Sequence, residues 1–117
     1  MRNIDLIREL ALAIATPETS VVDSLVAKGY TKEEIGFHSY LLGDAGYARV
    51  IDVFNMNDTI PQAIALNLTW KGYEFLDSAR ENRRWLKMKG ALGKVGSTSL
   101  DVVIDLLKQY AKQELGL

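Results

Sequence analysis

Hydrophobic positions along the chain change period several times, and each change marks an element. Ile4, Ile7, Ala11 and Ile14 recur at three- and four-residue steps, with Leu6 and Leu10 alongside and Asn3 placed to cap them. This predicts an amphipathic helix over 4–15, ended at Thr16-Pro17 because the residue before a proline is pushed out of the α region. In the next stretch, Glu18 to Tyr30, the spacing of Val21, Val22, Leu25 and Val26 suits a short helix as well as a strand. A short helix closed by Lys28-Gly29 is the preferred reading. Thr31 to Glu34 then spells T-x-x-E, a capping box in which the hydroxyl takes one free N–H and the carboxylate reaches back to another. It opens a helix over about 32–45, with Ile35, His38 or Ser39, Leu42 and Ala45 at helical spacing and Gly46 as a left-handed stop.

Beyond Gly46 the period shortens. Ala48 to Phe54 is rich in β-branched and aromatic residues, Asn55 to Asp58 is turn-like, and Ala63 to Leu68 forms a second strand-like run behind Pro61. Together they predict a hairpin. Thr69 can cap a third helix, in which Tyr73, Leu76, Ala79 or Arg80 and Arg83 to Trp85 continue the helical period as far as Gly90. Gly90, Gly93 and Gly96 punctuate a loop, and Thr98 to Asp101 caps a final helix of about fifteen residues carrying Leu100, Val103, Ile104, Leu107, Tyr110 and Ala111. Val102 and Leu106 widen its apolar arc, so it needs the core or a partner helix to cover it.

The order helix, short element, capped helix, hairpin, helix is that of a winged helix-turn-helix. The expected class is therefore α+β, mainly helical, a winged helix-turn-helix with a β-hairpin wing and a C-terminal helical extension. One domain over 1–117 is expected, with a winged-helix core at 1–79 and the extension at 80–117. His38, Leu42, Ala45 and Gly46 resemble the end of the recognition helix in arsenic-repressor-type regulators. Leu68-Thr69 with Gly72 and Leu76 is similar to the segment after the wing in multiple-antibiotic-resistance-type regulators. The runs DLIREL, GYTKEEIGFHSYLLGDAGYA, LTWKGYEFLDSAR and SLDVVIDLL resemble the bacterial and phage family called domain of unknown function 2513. That resemblance implies a winged-helix domain with a helical tail and supplies no catalytic residue.

Composition narrows the chemistry. The 117 residues are 48% hydrophobic and 25% charged, enough for a core and unlike a disordered tail. With no cysteine and one histidine, a disulfide, a thiolate nucleophile, a Cys-based zinc site and a multi-His cage are all excluded. Neither an enzyme nor a cofactor is expected. Charges at Arg2, Asp5, Arg8 and Glu9 interrupt the first apolar stretch, so neither a secretion signal nor a membrane span is expected there, and a cytoplasmic protein is. The GALGKVG run lacks the order of a phosphate loop, since a helix precedes it and Val95 follows Lys94. The carboxylates Glu33 and Glu34 are explained by the positive end of a helix dipole. His38 has no second ligand or base partner at helical spacing, so a packing role is expected.

Net charge is −1, but it is a cancellation between regions. Residues 1–60 hold five Lys/Arg against nine Asp/Glu, whereas residues 61–96 hold seven against three. The first expected function is DNA binding by a homodimeric transcriptional regulator, with Lys32, Gly36, Phe37 and Tyr40 approaching bases and Lys28, Arg49 and Lys71 the backbone. The alternative is a winged-helix protein-interaction module, because the outward positions Glu33, Gly36, Phe37 and Tyr40 lack the cations and amides that read DNA. An alternative basic face, Arg80, Arg83, Arg84 and Lys87, could meet phosphate or an acidic protein partner. Dimerisation is expected through residues 98–115.

Overall fold

A computed structural model describes residues 2–18, 20–53, 59–93 and 99–116. They form six helices and an antiparallel hairpin: α1 (Ile4–Ile14), α2 (Val21–Ala27), α3 (Lys32–Asp44), β1 (Ala48–Asp52), β2 (Ala63–Leu68), α4 (Trp70–Ala79), α5 (Asn82–Leu92) and α6 (Leu100–Glu114). The class is α+β and mainly helical, and the order of the first six elements is compatible with a winged helix. The expected turn Asn55–Asp58, with Phe54, and the Lys94 to Thr98 part of the glycine loop lie outside the described residues. The chain divides into two compact units, Met1–Tyr73 and Glu74–Leu117.

In the first unit the caps read from the sequence form. Asn3 Oδ1 accepts from the N–H groups of Asp5 and Leu6 at 3.0 and 3.2 Å. Thr31 and Glu34 close the capping box at 3.0 and 2.9 Å. The two bonds on the Glu34 carboxylate side, to Thr31, hold its pKa below the usual value. Gly29 and Gly46 both take positive φ just past their helices, 102° and 83°. Residues 21–27 are helical, capped by Ser20. The core is built from Leu6, Ile7, Leu10 and Ala11 of α1, Leu25 of α2, Ile35 and Leu42 of α3, and Tyr47, Ala48, Ala63 and Leu68 at the hairpin.

The hairpin pairs Ala48 with Leu68, Arg49 with Asn67, Val50 with Ala65, Ile51 with Ile64 and Asp52 with Ala63. Leu66 is left over, a bulge between Arg49 and Val50 that puts Leu66 and Asn67 together on the exposed side. Val53 N–H extends the ladder to the Gln62 carbonyl at 3.0 Å. Two glycines let helices come close to this hairpin. A Cβ on Gly43 would overlap the Val50 side chain, and one on Gly72 would overlap the Tyr47 carbonyl oxygen. Thr69 ties the same corner, its hydroxyl donating to the Gly46 carbonyl at 2.6 Å and accepting from Gly72 N–H at 3.2 Å.

The expected single helix from Thr69 to Gly90 is two helices, α4 and α5. Glu81 adopts an extended backbone, φ −80° and ψ 119°, and its carboxylate accepts from the N–H groups of Arg83 and Arg84, which starts α5 afresh. No glycine or proline marks the break. Trp85 and Met88 of α5 and Val103, Ile104 and Leu107 of α6 are buried, and Phe75 meets Trp85 edge to face at 6.3 Å. The N-cap of α6 is Ser99, which accepts from Val102 N–H. The main apolar stripe of α6 is thus already covered, although Val102 remains 44% exposed.

Candidate functional site

Three faces of α3 have different neighbours. Ile35, His38, Ser39 and Leu42 are buried. Gly36 and Gly43, seven residues apart and so on one side of the helix, face the hairpin through Gln62 and Val50. Glu33, Phe37, Tyr40 and Asp44 share an outward strip, again at helical spacing, with the two acids exposed and the two rings half-buried, and Lys32 and Glu34 are exposed beside it in the first turn. Asp44, which sequence reasoning left out of this group, completes it at the C-terminal end.

His38 belongs to the interior. Its Nε2 accepts the backbone N–H of Asn3 at 2.9 Å, while Nδ1 lies 2.8 Å from the Glu34 carbonyl. With the proton on Nδ1 both contacts are satisfied by neutral imidazole. Burial pushes its pKa below 6.5, although the hydrogen bond to Glu34 works in the opposite direction.

Of the residues expected to approach bases, Phe37 and Tyr40 share the outward strip, whereas Gly36 faces the hairpin. Gly36 is occupied by the hairpin's own side chain: a Cβ there would overlap Gln62 Oε1, and Gln62 Nε2 donates to the Glu33 carbonyl at 3.2 Å. It is therefore a packing glycine. Lys32 is exposed at the first turn of α3, next to Glu33. The cations expected on the backbone are dispersed and engaged. Lys28 pairs with Glu9 beside a cleft between α1 and α2. Arg49 reaches Asn67 Oδ1 at 3.4 Å on the outer face of the hairpin. Lys71 points back to the Ala45 carbonyl at 3.4 Å and lies over the Tyr47 ring at 4.6 Å.

The alternative basic face is also divided. Arg84 is turned toward Glu114 and Glu81, 3.2 and 3.8 Å away, and Arg80 toward Asp77 at 3.8 Å. Arg83 and Lys87 are exposed on α5, with Lys87 held 4.2 Å from the centroid of the Tyr110 ring. Sequence reasoning missed a second exposed surface. Ile51 and Ile64 face each other at 53% and 55% exposure, Leu66 adds 56%, and Trp70 at the start of α4 is 82% exposed. Strict alternation of these strands could have revealed the isoleucine pair; the bulge that adds Leu66 has no comparable signal.

Among the described residues no three His, Asp or Glu side chains form a metal-holding group, and no helix is long and apolar enough to cross a membrane. The architecture defines a mainly helical α+β protein with a two-stranded hairpin. A family model described as hypothetical protein (DUF2513) matches residues 1–99. An uncharacterized protein of Haemophilus influenzae is 35% identical over 114 residues, covering 95% of this chain and 92% of the relative. The chain belongs to the DUF2513 family. No solved structure matches it significantly.

Proposed function

We propose that this chain is a winged-helix-like protein-interaction module whose binding surface is the outer strip of α3. The observation that carries the reading is the strip's chemistry: Glu33, Phe37, Tyr40 and Asp44 occupy the face with which a recognition helix would enter a groove. Carboxylates at both ends would oppose phosphates, whereas aromatic rings with a polar rim are typical of protein contacts. The packing of Gln62 on Gly36 supports the reading, because it removes one position from any base contact. The test is duplex DNA titration at low salt, followed by fluorescence anisotropy. No binding through α3 is the expected result. Binding that weakens steeply with salt and is lost in Phe37→Ala/Tyr40→Ala would overturn the reading.

DNA binding, with a role in transcription, is the second reading. It is favoured by the exposed cations Arg83 and Lys87 on α5 and by the winged-helix-like order of elements. If it holds, duplex affinity falls in Arg83→Glu/Lys87→Glu and the slope of affinity against salt becomes shallower.

A further inference from the structure

The outer strips of α3 and α5 are complementary. On α5, Arg83, Leu86, Lys87 and Gly90 lie on one side at steps of three and four, opposite the buried Trp85 and Met88. Leu86 is 65% exposed between two exposed cations, and a Cβ on Gly90 would have nothing within 4 Å, so another chain can approach closely. The Lys87 ammonium lies 4.2 Å from the centroid of the Tyr110 ring of α6. The α3 strip offers the opposite: two rings at its centre and one carboxylate toward each end. The same polarity runs through the chain, with residues 1–73 carrying −3 and residues 74–117 carrying +2.

We propose that the α5 strip of one copy docks on the α3 strip of a second copy, Leu86 seating against Phe37 and Tyr40 while Arg83 and Lys87 meet Glu33 and Asp44. The inference rests on the reading of α3 as a protein-binding surface and names its occupant. Every copy carries both strips, so the contact joins unlike surfaces of two copies of the same chain. The helix geometry is compatible with it. Glu33 and Asp44 are roughly 16 Å apart along α3 and Arg83 and Lys87 roughly 6 Å along α5, a difference that the long Arg and Lys side chains can span. Charge at the rim sets the register and makes association salt-sensitive, while the ring-to-leucine contact supplies the apolar centre.

The experiment is sedimentation velocity of the full chain across a wide concentration range at low and high salt, with two charge-reversed variants. Glu33→Lys/Asp44→Lys and Arg83→Glu/Lys87→Glu should each weaken the dimer at least about tenfold. Mixed together they should associate again, because each strip of one variant is then opposite in charge to its counterpart strip on the other. Circular dichroism checks that each variant is folded, and Leu86→Ala, at an exposed position, gives a third route to the same loss. A wild-type chain that stays monomeric overturns the proposal, as does a dimer indifferent to both reversals or a mixture that does not pair. If the α5 reversal abolishes only duplex DNA binding, the strip serves nucleic acid instead and the proposal also fails. Failure of the α3 reading itself looks different: duplex DNA would be bound and then released by Phe37→Ala/Tyr40→Ala.

Discussion

The Nε2 of His38 accepts the backbone N–H of Asn3, so one side chain of α3 satisfies a donor at the start of α1, 35 residues away in sequence. The bond needs a neutral ring, because a proton on Nε2 would face the N–H it now accepts. The folded pKa lies below 6.5, so the unfolded chain takes up the proton first as pH falls. Stability is expected to be flat with respect to this group above about pH 7, and to fall as pH drops below 6.5 until the folded ring also titrates. Glu34 and Glu81, whose pKa values are lowered from 4.5, add a separate loss at lower pH. Urea midpoints from pH 8 to pH 5 check this. His38→Gln should flatten the upper part of the profile, and His38→Ala should cost about 2 kcal/mol at neutral pH through the unpaired N–H and the cavity.

Two helical glycines should respond in opposite directions to the same substitution. Gly72→Ala would drive a methyl group into the Tyr47 backbone carbonyl, which cannot move aside without displacing the start of β1, and about 3 kcal/mol or more of destabilisation is expected. Gly90→Ala meets open space in α5 and should gain up to about 1 kcal/mol from helix propensity. Thermal melts of the two variants make the comparison.

Gln62 and Gly36 should be energetically coupled. Gln62→Ala removes the hydrogen bond to the Glu33 carbonyl, a loss of about 1 kcal/mol or less at this exposed site. In that background Gly36→Ala becomes sterically free and gains helix propensity, whereas in the parent chain it must push the amide aside. A double-mutant cycle by denaturant unfolding should therefore depart from additivity by about 1 kcal/mol.

Glu81 separates α4 from α5, and removing its carboxylate should fray the start of α5. Glu81→Ala is expected to lower helicity and the melting midpoint, while Glu81→Asp or Glu81→Ser, which can still cap, should retain most of both. Hydrogen exchange at Arg83 and Arg84 would locate the loss.

Local signals carried most of the fold. Asn3, Thr31 with Glu34, and Gly46 are short-range cap chemistry, and each marks a helix end within a residue of the observed one. The strand pair was legible through the β-branched run from Ala48 and the strand-like run behind Pro61, with a polar, turn-like stretch of sequence between them. The break at Glu81 was not, because apolar spacing continues across it and a glutamate cap has no obligatory partner in the sequence. The candidate surface was legible in part for the same reason. Glu33, Phe37 and Tyr40 follow from helical geometry alone, whereas the covering of Gly36 depends on Gln62, 26 positions further along. Such a contact exists only once the hairpin has folded onto α3. Regional charge gave the sign of the α3 strip but not the engagement of Lys28, Arg49 and Lys71 by neighbouring groups.

Leu66 is the residue that the hairpin ladder does not need. Ala63 and Ala65 before it and Leu68 after it would keep their alternation if it were deleted, since its neighbours already pair with Val50 and Arg49. A chain lacking Leu66 should fold with the same inward residues, a less twisted sheet and a smaller greasy outer surface. Retained stability with weaker binding to a hydrophobic-interaction resin would show that this one inserted residue shapes the exterior of the hairpin without being required by its interior.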